Sequence, residues 1–285
     1  MRISLLGDTV KTVRIKKTQK LRHLLRGVLA VIGALLATAG AAGQTVLVAA
    51  AADLQYALAD LARQYEKHSP AKLAVTYGSS GNFYAQIQNG APFDLYFSAD
   101  VTYPQKLVNS GVAEEDSLYA YARGRIVLWV ARDFALDPAL LEWKLLEEPR
   151  VQKIAIANPE HAPYGAAAVA ALKKAGVYDK VQAKFVYGEN ISQTAQFVQS
   201  GSAQVGIVAL SLAISPSMRD GKRWEIPNEF YPALNQAAVV LKSSHNQAAA
   251  RAFLEFMKTD AARATLARYG FMAAEGSRGA ATGKP

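Results

Sequence analysis

The sequence predicts an α/β fold in which parallel sheets are covered by helices. Short apolar runs alternate with amphipathic helical patterns along residues 45–271, as expected for strands that are joined by crossover helices. The chain contains no cysteine, which excludes disulfides, cysteine metal sites and thiol catalysis. About 240 residues follow an N-terminal leader, which is enough for one large domain or two small ones.

The first 43 residues have the composition of a secretory signal peptide. A basic segment comes first, and the apolar run 27–36 and the small residues 37–43 follow it. The apolar run is short for a membrane span, which needs ~20 residues. We therefore expect cleavage after Ala41 or Ala42 and a free protein in the periplasm. An uncleaved membrane anchor is the alternative.

The net charge of the chain, +9, lies mostly in this leader. Residues 1–42 carry eight Lys/Arg and one Asp, so +7 belongs to the leader and +2 to the remaining residues. Because no basic stripe with interleaved aromatic residues follows, the charge does not indicate nucleic-acid binding. Residues 276–285 are small and polar, and we expect them to form a disordered tail.

The individual elements follow from local patterns. Short runs rich in Val, Ile, Leu and Ala predict strands at residues 45–50, 73–77, 93–98, 126–130, 153–157, 184–187, 204–209 and 237–241. Helical spacing of apolar residues predicts a first helix that begins at Asp53 and stops before Pro70. Further helices are predicted at residues 83–89, 104–108, 166–174 and 191–200, with closing helices around 253–266.

Four loops follow predicted strands and precede predicted helices, where open α/β sheets bind ligands. These loops are residues 50–53, 78–82, 157–165 and 188–192. The Gly/Ser turn at 78–82 precedes a helix start, where unpaired backbone N–H groups suit a small anion. It is not a Walker loop, because it lacks the lysine of that motif. Taken singly, Ser80 and Asp53 also fit ordinary helix caps and Tyr164 fits a packing residue. The prediction of a site rests on their joint arrangement.

The chain resembles the ModA family, the periplasmic molybdate-binding proteins of ABC importers, from about Thr45 to Phe271. The resemblance is carried by VAAAADL at residues 48–54, by GSSG at 78–81 and by Gly-Ala-Pro-x-Asp-Leu-x-x-Ser-Ala-Asp at 90–100. It continues in residues 157–165, 206–210 and 268–271.

The resemblance implies a type II periplasmic binding protein fold, with two α/β lobes and two strand crossovers between them. The crossovers would fall near residues 119–126 and 232–239. Lobe I would comprise residues 44–122 and 240–275, and lobe II would comprise residues 123–239.

The resemblance also implies an oxyanion site. Ser80 matches a serine that donates its hydroxyl and N–H, and Tyr164 matches a tyrosine donor in one branch of the family. Ala52 and Asp53 match a pair that is Ser or Thr followed by Asn in many members. Ile191 matches an apolar position that donates its backbone N–H. Molybdenum would enter only as molybdate held by these residues, with no cofactor.

Two of these positions depart from the family pattern. Ala209 replaces a tyrosine that serves as donor in another branch, so the chain resembles the branch that uses Tyr164. Asp53 would repel a dianion, by roughly 4 kcal/mol for unit charges 4 Å apart at an effective dielectric of 20. We expect Asp53 to turn back and cap its own helix. The alternative is that Asp53 accepts a proton from a ligand such as hydrogen phosphate.

The function that the resemblance implies is capture of molybdate, and of tungstate because the two are close in size, for an ABC transporter permease in the inner membrane. We expect a monomer. One alternative is a binding protein for another tetrahedral oxyanion such as hydrogen phosphate. The other is an exported hydrolase, which needs a histidine beside a serine. Of the three histidines beyond the leader, His68, His161 and His245, only His161 lies in a candidate loop. We therefore expect no enzyme.

Overall fold

The computed structural model describes residues 44–274, which form two five-stranded sheets covered by helices. The predicted signal peptide at 1–43 and the predicted disordered tail at 276–285 lie outside the described residues. Within residues 44–274, no helix is long and apolar enough to span a membrane.

The first sheet contains both parallel and antiparallel strands. Its members are β1 (Thr45–Ala51), β2 (Lys72–Gly78), β3 (Leu95–Ser98), β4 (Tyr119–Gly124) and β10 (Leu234–Val240). They lie in the order β2-β1-β3-β10-β4. Strand β1 pairs in parallel with β2 and β3, whereas β10 runs antiparallel to β3 and β4. The parallel strands bring the ends of β1 and β2 to one edge of the sheet.

The second sheet repeats this arrangement. Its members are β5 (Ile126–Val130), β6 (Ile154–Ala157), β7 (Phe185–Gly188), β8 (Val205–Ala209) and β9 (Lys222–Glu225). They lie in the order β7-β6-β8-β5-β9. Strand β6 pairs in parallel with β7 and β8, and β5 runs antiparallel to β8 and β9.

The helices connect and cover these strands. In chain order they are α1 (Gln55–Glu66), α2 (Ser80–Gln88), α3 (Thr102–Asn109), α4 (Pro138–Leu141), α5 (Pro163–Lys174), α6 (Tyr178–Val181), α7 (Ile191–Gln199), α8 (Leu210–Ala213), α9 (Gln247–Met257) and α10 (Asp260–Arg268). Short 3-10 turns occupy Ala52–Leu54, Glu115–Ser117, Glu142–Glu147, Gln182–Lys184 and Asn228–Phe230.

The chain passes between the two sheets twice, which confirms the predicted two-lobe fold. It leaves the first sheet at Arg125, between β4 and β5, and returns through residues 226–233, between β9 and β10. The boundary predicted between residues 239 and 240 is wrong. Residues 234–239 already pair with β3 and β4, because the apolar run that was assigned to the end of lobe II belongs to β10 of the first sheet.

Two further differences concern one strand that was not predicted and the start of one helix. Strand β9 was not predicted, because its sequence, KRWE, is polar and it pairs only with β5 at the edge of the sheet. Helix α5 begins at Pro163, three residues earlier than predicted, since proline suits the first position of a helix. Both differences leave the position of the predicted ligand loops unchanged.

The buried core of the second lobe extends across the cleft into the first. Ala51, Ala52 and Ala99 of the first lobe are almost fully buried and pack with the core around β5, β6 and β8. Apolar contact between the lobes therefore accompanies the polar contacts described below, and the structure represents a closed arrangement of the two lobes.

Candidate functional site

The candidate site is a small cavity between the two lobes, with a volume of about 10 Å³ in this closed arrangement. All five residues predicted for the site line it: Ala52, Asp53, Ser80, Tyr164 and Ile191. The first three come from the loops after β1 and β2, and the last two come from the loops after β6 and β7. The four predicted ligand loops therefore converge because they all follow strands whose ends face the cleft.

Two helices begin at the wall of this cavity. Ser80 is the first residue of α2 and Ile191 is the first residue of α7. The first N–H groups of an α-helix have no partner within the helix, and the helix dipole places partial positive charge there. Ser79 and Asn190 cap the two helices through their side chains, which fixes the orientation of both starts. The cavity thus lies between two helix ends that favour an anion.

Ser80 is held so that its hydroxyl group can act as a donor. Its Oγ accepts a hydrogen bond from the N–H of Ala99 at 3.0 Å, and its carbonyl accepts one from the Tyr96 hydroxyl at 2.7 Å. Because Oγ is already an acceptor toward the protein, the hydroxyl hydrogen remains for a ligand. The residue is 1% exposed, so this donor is prearranged within the closed cavity.

Asp53 does not cap its own helix, so the expectation that it does is wrong. The 3-10 turn at Ala52–Leu54 has no side-chain cap. Instead, Asp53 Oδ2 accepts hydrogen bonds from the Tyr164 hydroxyl at 2.9 Å and from Gln236 Nε2 at 2.7 Å. The bond to Tyr164 crosses the cleft, because these two residues belong to different lobes. Asp53 therefore faces the site with its side chain.

Gln236 and Tyr121 extend this network and were missed in the sequence. Gln236 Nε2 also donates to the Tyr164 hydroxyl oxygen at 3.1 Å, and its Oε1 accepts from the Tyr121 hydroxyl at 2.8 Å. The position of Gln236 within the apolar run of β10 could have indicated this network, because a glutamine that is buried in a strand needs hydrogen-bond partners. Gly124 leaves room for the network, since a Cβ atom there would clash with the Tyr164 hydroxyl.

Burial sets the protonation of this network. It raises the pKa of Asp53 from 3.8 to about 6, and the hydrogen bonds from Gln236 and Tyr164 offset part of the rise. The nearby N–H groups of Asp53 and Leu54 also lower this pKa. Neither makes a well-aligned hydrogen bond to Asp53 Oδ1, which has no hydrogen-bond partner among the described residues. Burial and the nearby Asp53 charge raise the pKa of Tyr164 and of Tyr121 well above 10.0, so both phenols are neutral donors at physiological pH.

Polar contacts across the cleft hold the lobes together. The N–H of Gly81 donates to the His161 carbonyl at 2.8 Å, and the Ser211 hydroxyl donates to the Asp53 carbonyl at 2.8 Å. The Ser192 hydroxyl donates to Gln55 Oε1 at 2.8 Å. These bonds surround the cavity and can form only when the lobes are closed.

A serine and a histidine do meet at the cleft, as an exported hydrolase would require. Ser79 Oγ lies 2.9 Å from His161 Nδ1, and His161 Nε2 lies 3.7 Å from Glu189 Oε2. Ser79 Oγ also accepts the N–H of Asn82 as the cap of α2, and Asn82 is itself hydrogen-bonded to Glu189. Because these groups come from both lobes, the arrangement joins the lobes and does not present an exposed nucleophile. Within residues 44–274, no three acidic or histidine side chains are grouped as metal ligands.

Comparison with known proteins identifies the family. Residues 46–272 match the profile of the family described as bacterial extracellular solute-binding protein. Molybdate-binding protein ModA of Azotobacter vinelandii is 38% identical over 249 residues, which cover 87% of this chain and 97% of the relative. ModA of Rhodobacter capsulatus is also 38% identical, with 83% of this chain and 91% of the relative covered.

The solved structures agree with the sequence relatives. The periplasmic molybdate-binding protein of Azotobacter vinelandii superposes with a TM-score of 0.74 at 35% identity, covering 80% of this chain and 98% of that one. The sulfate-binding protein SubI of Mycobacterium tuberculosis has a TM-score of 0.62 at 16% identity, which shows a shared fold alone. The predictions of a solute-binding protein without enzymatic activity and without a cofactor are confirmed by these relatives. The chain belongs to the ModA family of bacterial extracellular solute-binding proteins.

Proposed function

We propose that this protein captures molybdate, and tungstate with it, in the periplasm and delivers the oxyanion to an ABC transporter permease in the inner membrane. The observation that carries the proposal is the closed cavity between the lobes, in which Ser80, Tyr164 and the starts of α2 and α7 converge. Relatives that are 38% identical are named molybdate-binding proteins, which supports molybdate as the ligand.

The cavity suits reversible binding of an intact anion. Among the described residues that line it there is no Lys, Arg or His, and the donors are hydroxyl and N–H groups. Helix ends and N–H dipoles supply the positive potential that desolvation of the anion requires. Without a cationic side chain in its lining, the site is suited to hold and release the oxyanion unchanged.

Size is the proposed basis of selectivity. A cage whose donors are fixed by hydrogen bonds to the protein fits one anion radius, and a smaller tetrahedral anion such as sulfate leaves some donors unpaired. Ser80 is fixed in this way by Ala99. The hydroxyl hydrogen of Tyr164 is donated to Asp53, so Tyr164 shapes the wall of the cage and holds Asp53 in place. Buried donors that lose their partners cost about 1–3 kcal/mol each, which is enough for discrimination.

A thermal-shift panel with molybdate, tungstate, sulfate and phosphate tests the proposed function. We expect molybdate and tungstate to raise the Tm, because a ligand at 1,000 times its Kd stabilises the folded state by about 4 kcal/mol. Sulfate at the same concentration is expected to leave the Tm unchanged. A shift with phosphate alone would overturn the assignment of the ligand.

Hydrogen phosphate is the second candidate, and one observation favours it. Asp53 Oδ1 has no hydrogen-bond partner among residues 44–274, and it could accept a hydrogen bond from the hydroxyl group of a protonated oxyanion.

We also propose that the protein is a monomer, that residues 1–43 are its signal peptide, and that it binds no nucleic acid. Size-exclusion chromatography with light scattering measures the first of these directly.

A further inference from the structure

The two carboxylate oxygens of Asp53 have different surroundings. Oδ2 accepts two hydrogen bonds, from Tyr164 and from Gln236. Oδ1 is buried and has no hydrogen-bond partner within residues 44–274. The residue is 1% exposed and forms part of the cavity wall. A buried polar atom without a partner is costly, which indicates that a group absent from the structure completes it.

A proton on Oδ1 would allow this oxygen to form a hydrogen bond when an oxyanion is bound. An ionised carboxylate can only accept hydrogen bonds, and it repels a dianion at short range. A protonated Oδ1 instead donates to an oxygen of the anion, while Oδ2 keeps the hydrogen bonds from Tyr164 and Gln236. The Ser80 hydroxyl is already available as a donor toward the cavity.

Among the described residues, no cation on the elements packed around Asp53 contacts its carboxylate. Tyr164 of α5 and Tyr121 of β4 are neutral phenols, and α7 and α8 contain no titratable residue. Strand β2 contributes Tyr77, whose pKa burial raises to about 12, and Lys72, which pairs with Glu66. On α1, the Tyr56 hydroxyl is bonded to Ser217, and the carboxylate of Asp60 forms ion pairs with Arg63 and Arg268.

We propose that Asp53 enters the complex as a neutral carboxylic acid with its proton on Oδ1, so that each oxyanion dianion is captured together with one proton. The inference rests on the proposed function and deepens it. The proton comes from solvent when the free carboxyl group is ionised, and no bond within the anion is made or broken. Burial has already raised the pKa of Asp53 to about 6, and the charge of the bound dianion must raise it much further for the complex to keep the proton at pH 8.

Isothermal titration calorimetry tests the proton count directly. Molybdate is titrated into the wild-type protein at pH 8 in two buffers with different enthalpies of ionisation. We expect uptake of about one proton per anion, and an affinity that falls about tenfold for each pH unit between pH 7 and pH 8.5. The sign follows because the complex binds one proton more than the free protein above the free pKa.

The variant Asp53→Asn should lose this pH dependence. Its amide oxygen can take the place of Oδ2, and its amide nitrogen can take the place of the protonated Oδ1 as a permanent donor. We expect no proton uptake and affinity at pH 8.5 about tenfold or more above that of the wild type. Asp60→Asn is the matched control, because Asp60 lies on α1 outside the cavity, and it should behave as the wild type does.

The outcomes separate the inference from the proposed function. Binding of molybdate by the wild-type protein with no proton uptake at pH 8 would overturn the inference and leave the proposed function standing. Uptake that persists in Asp53→Asn would also overturn it, because another group would then carry the proton. Absence of binding of molybdate and tungstate at both pH 6.5 and pH 8 would overturn the proposed function, and the inference with it.

Discussion

Gly81→Ala is expected to weaken molybdate binding roughly 10- to 100-fold by preventing closure of the lobes. A Cβ atom at this position would lie 2.7 Å from the His161 carbonyl oxygen and 2.9 Å from its Cα atom. Both are backbone atoms of the opposite lobe, so the contact is relieved only if the lobes move apart. Overpacking costs about 1–3 kcal/mol, which corresponds to this range of affinity.

The fold of the free protein should tolerate this substitution. Gly81 lies within α2, where alanine is favoured over glycine by about 1 kcal/mol. The added Cβ atom would also lie 2.9 Å from the Tyr103 hydroxyl of the same lobe, which must shift to make room. We therefore expect a free energy of unfolding close to that of the wild type, together with weaker binding by calorimetry. Gln86→Ala, at an exposed position of the same helix, is the matched control and should bind with wild-type affinity. Wild-type affinity in Gly81→Ala would show that binding does not require this closed contact.

Ser80→Ala is expected to lower the affinity for molybdate about 10- to 100-fold. The variant loses a hydroxyl donor to a charged ligand, and hydrogen bonds to charged groups contribute about 1.5–3 kcal/mol. The unfolding free energy should also fall, by about 1–3 kcal/mol, because the buried N–H of Ala99 loses its acceptor. Calorimetry and chemical denaturation measure the two effects separately.

Ser117→Ala is the matched control for this loss. Ser117 is buried in the same lobe, where its Oγ accepts the N–H of Val240 at 2.9 Å and donates to the Glu114 carbonyl at 2.7 Å. It lies outside the cavity, so its variant should lose stability without losing affinity. If Ser80→Ala and Ser117→Ala bound molybdate equally well, Ser80 would be a structural residue and not part of the site.

Much of the fold and the position of the site could be predicted from the sequence. The strands before residues 50–53 and 78–82 are short apolar runs, and the helices after them have clear helical spacing. The carboxyl ends of parallel strands meet at one edge, so the loops after β1 and β2 had to lie together. The resemblance to the ModA family then placed Ser80 and Tyr164 across one cleft.

The direction of the Asp53 side chain could not be predicted in the same way. A helix cap is a local interaction within a few residues, whereas the observed bonds join Asp53 to Tyr164 and Gln236, which lie 111 and 183 residues away in the sequence. Strand β9 was missed for a related reason, since its polar sequence pairs only at the sheet edge. Contacts between distant segments decide both features.

A crystal structure of the protein grown with molybdate would test the site most directly. An anomalous difference map locates molybdenum without reference to the protein density. We expect one peak per chain in the cavity between the lobes, within hydrogen-bonding reach of the Ser80 hydroxyl through the oxygen atoms of the anion, and bounded by Tyr164 and Ile191. An empty cavity, or a peak at any other position on the protein, would contradict the proposed site.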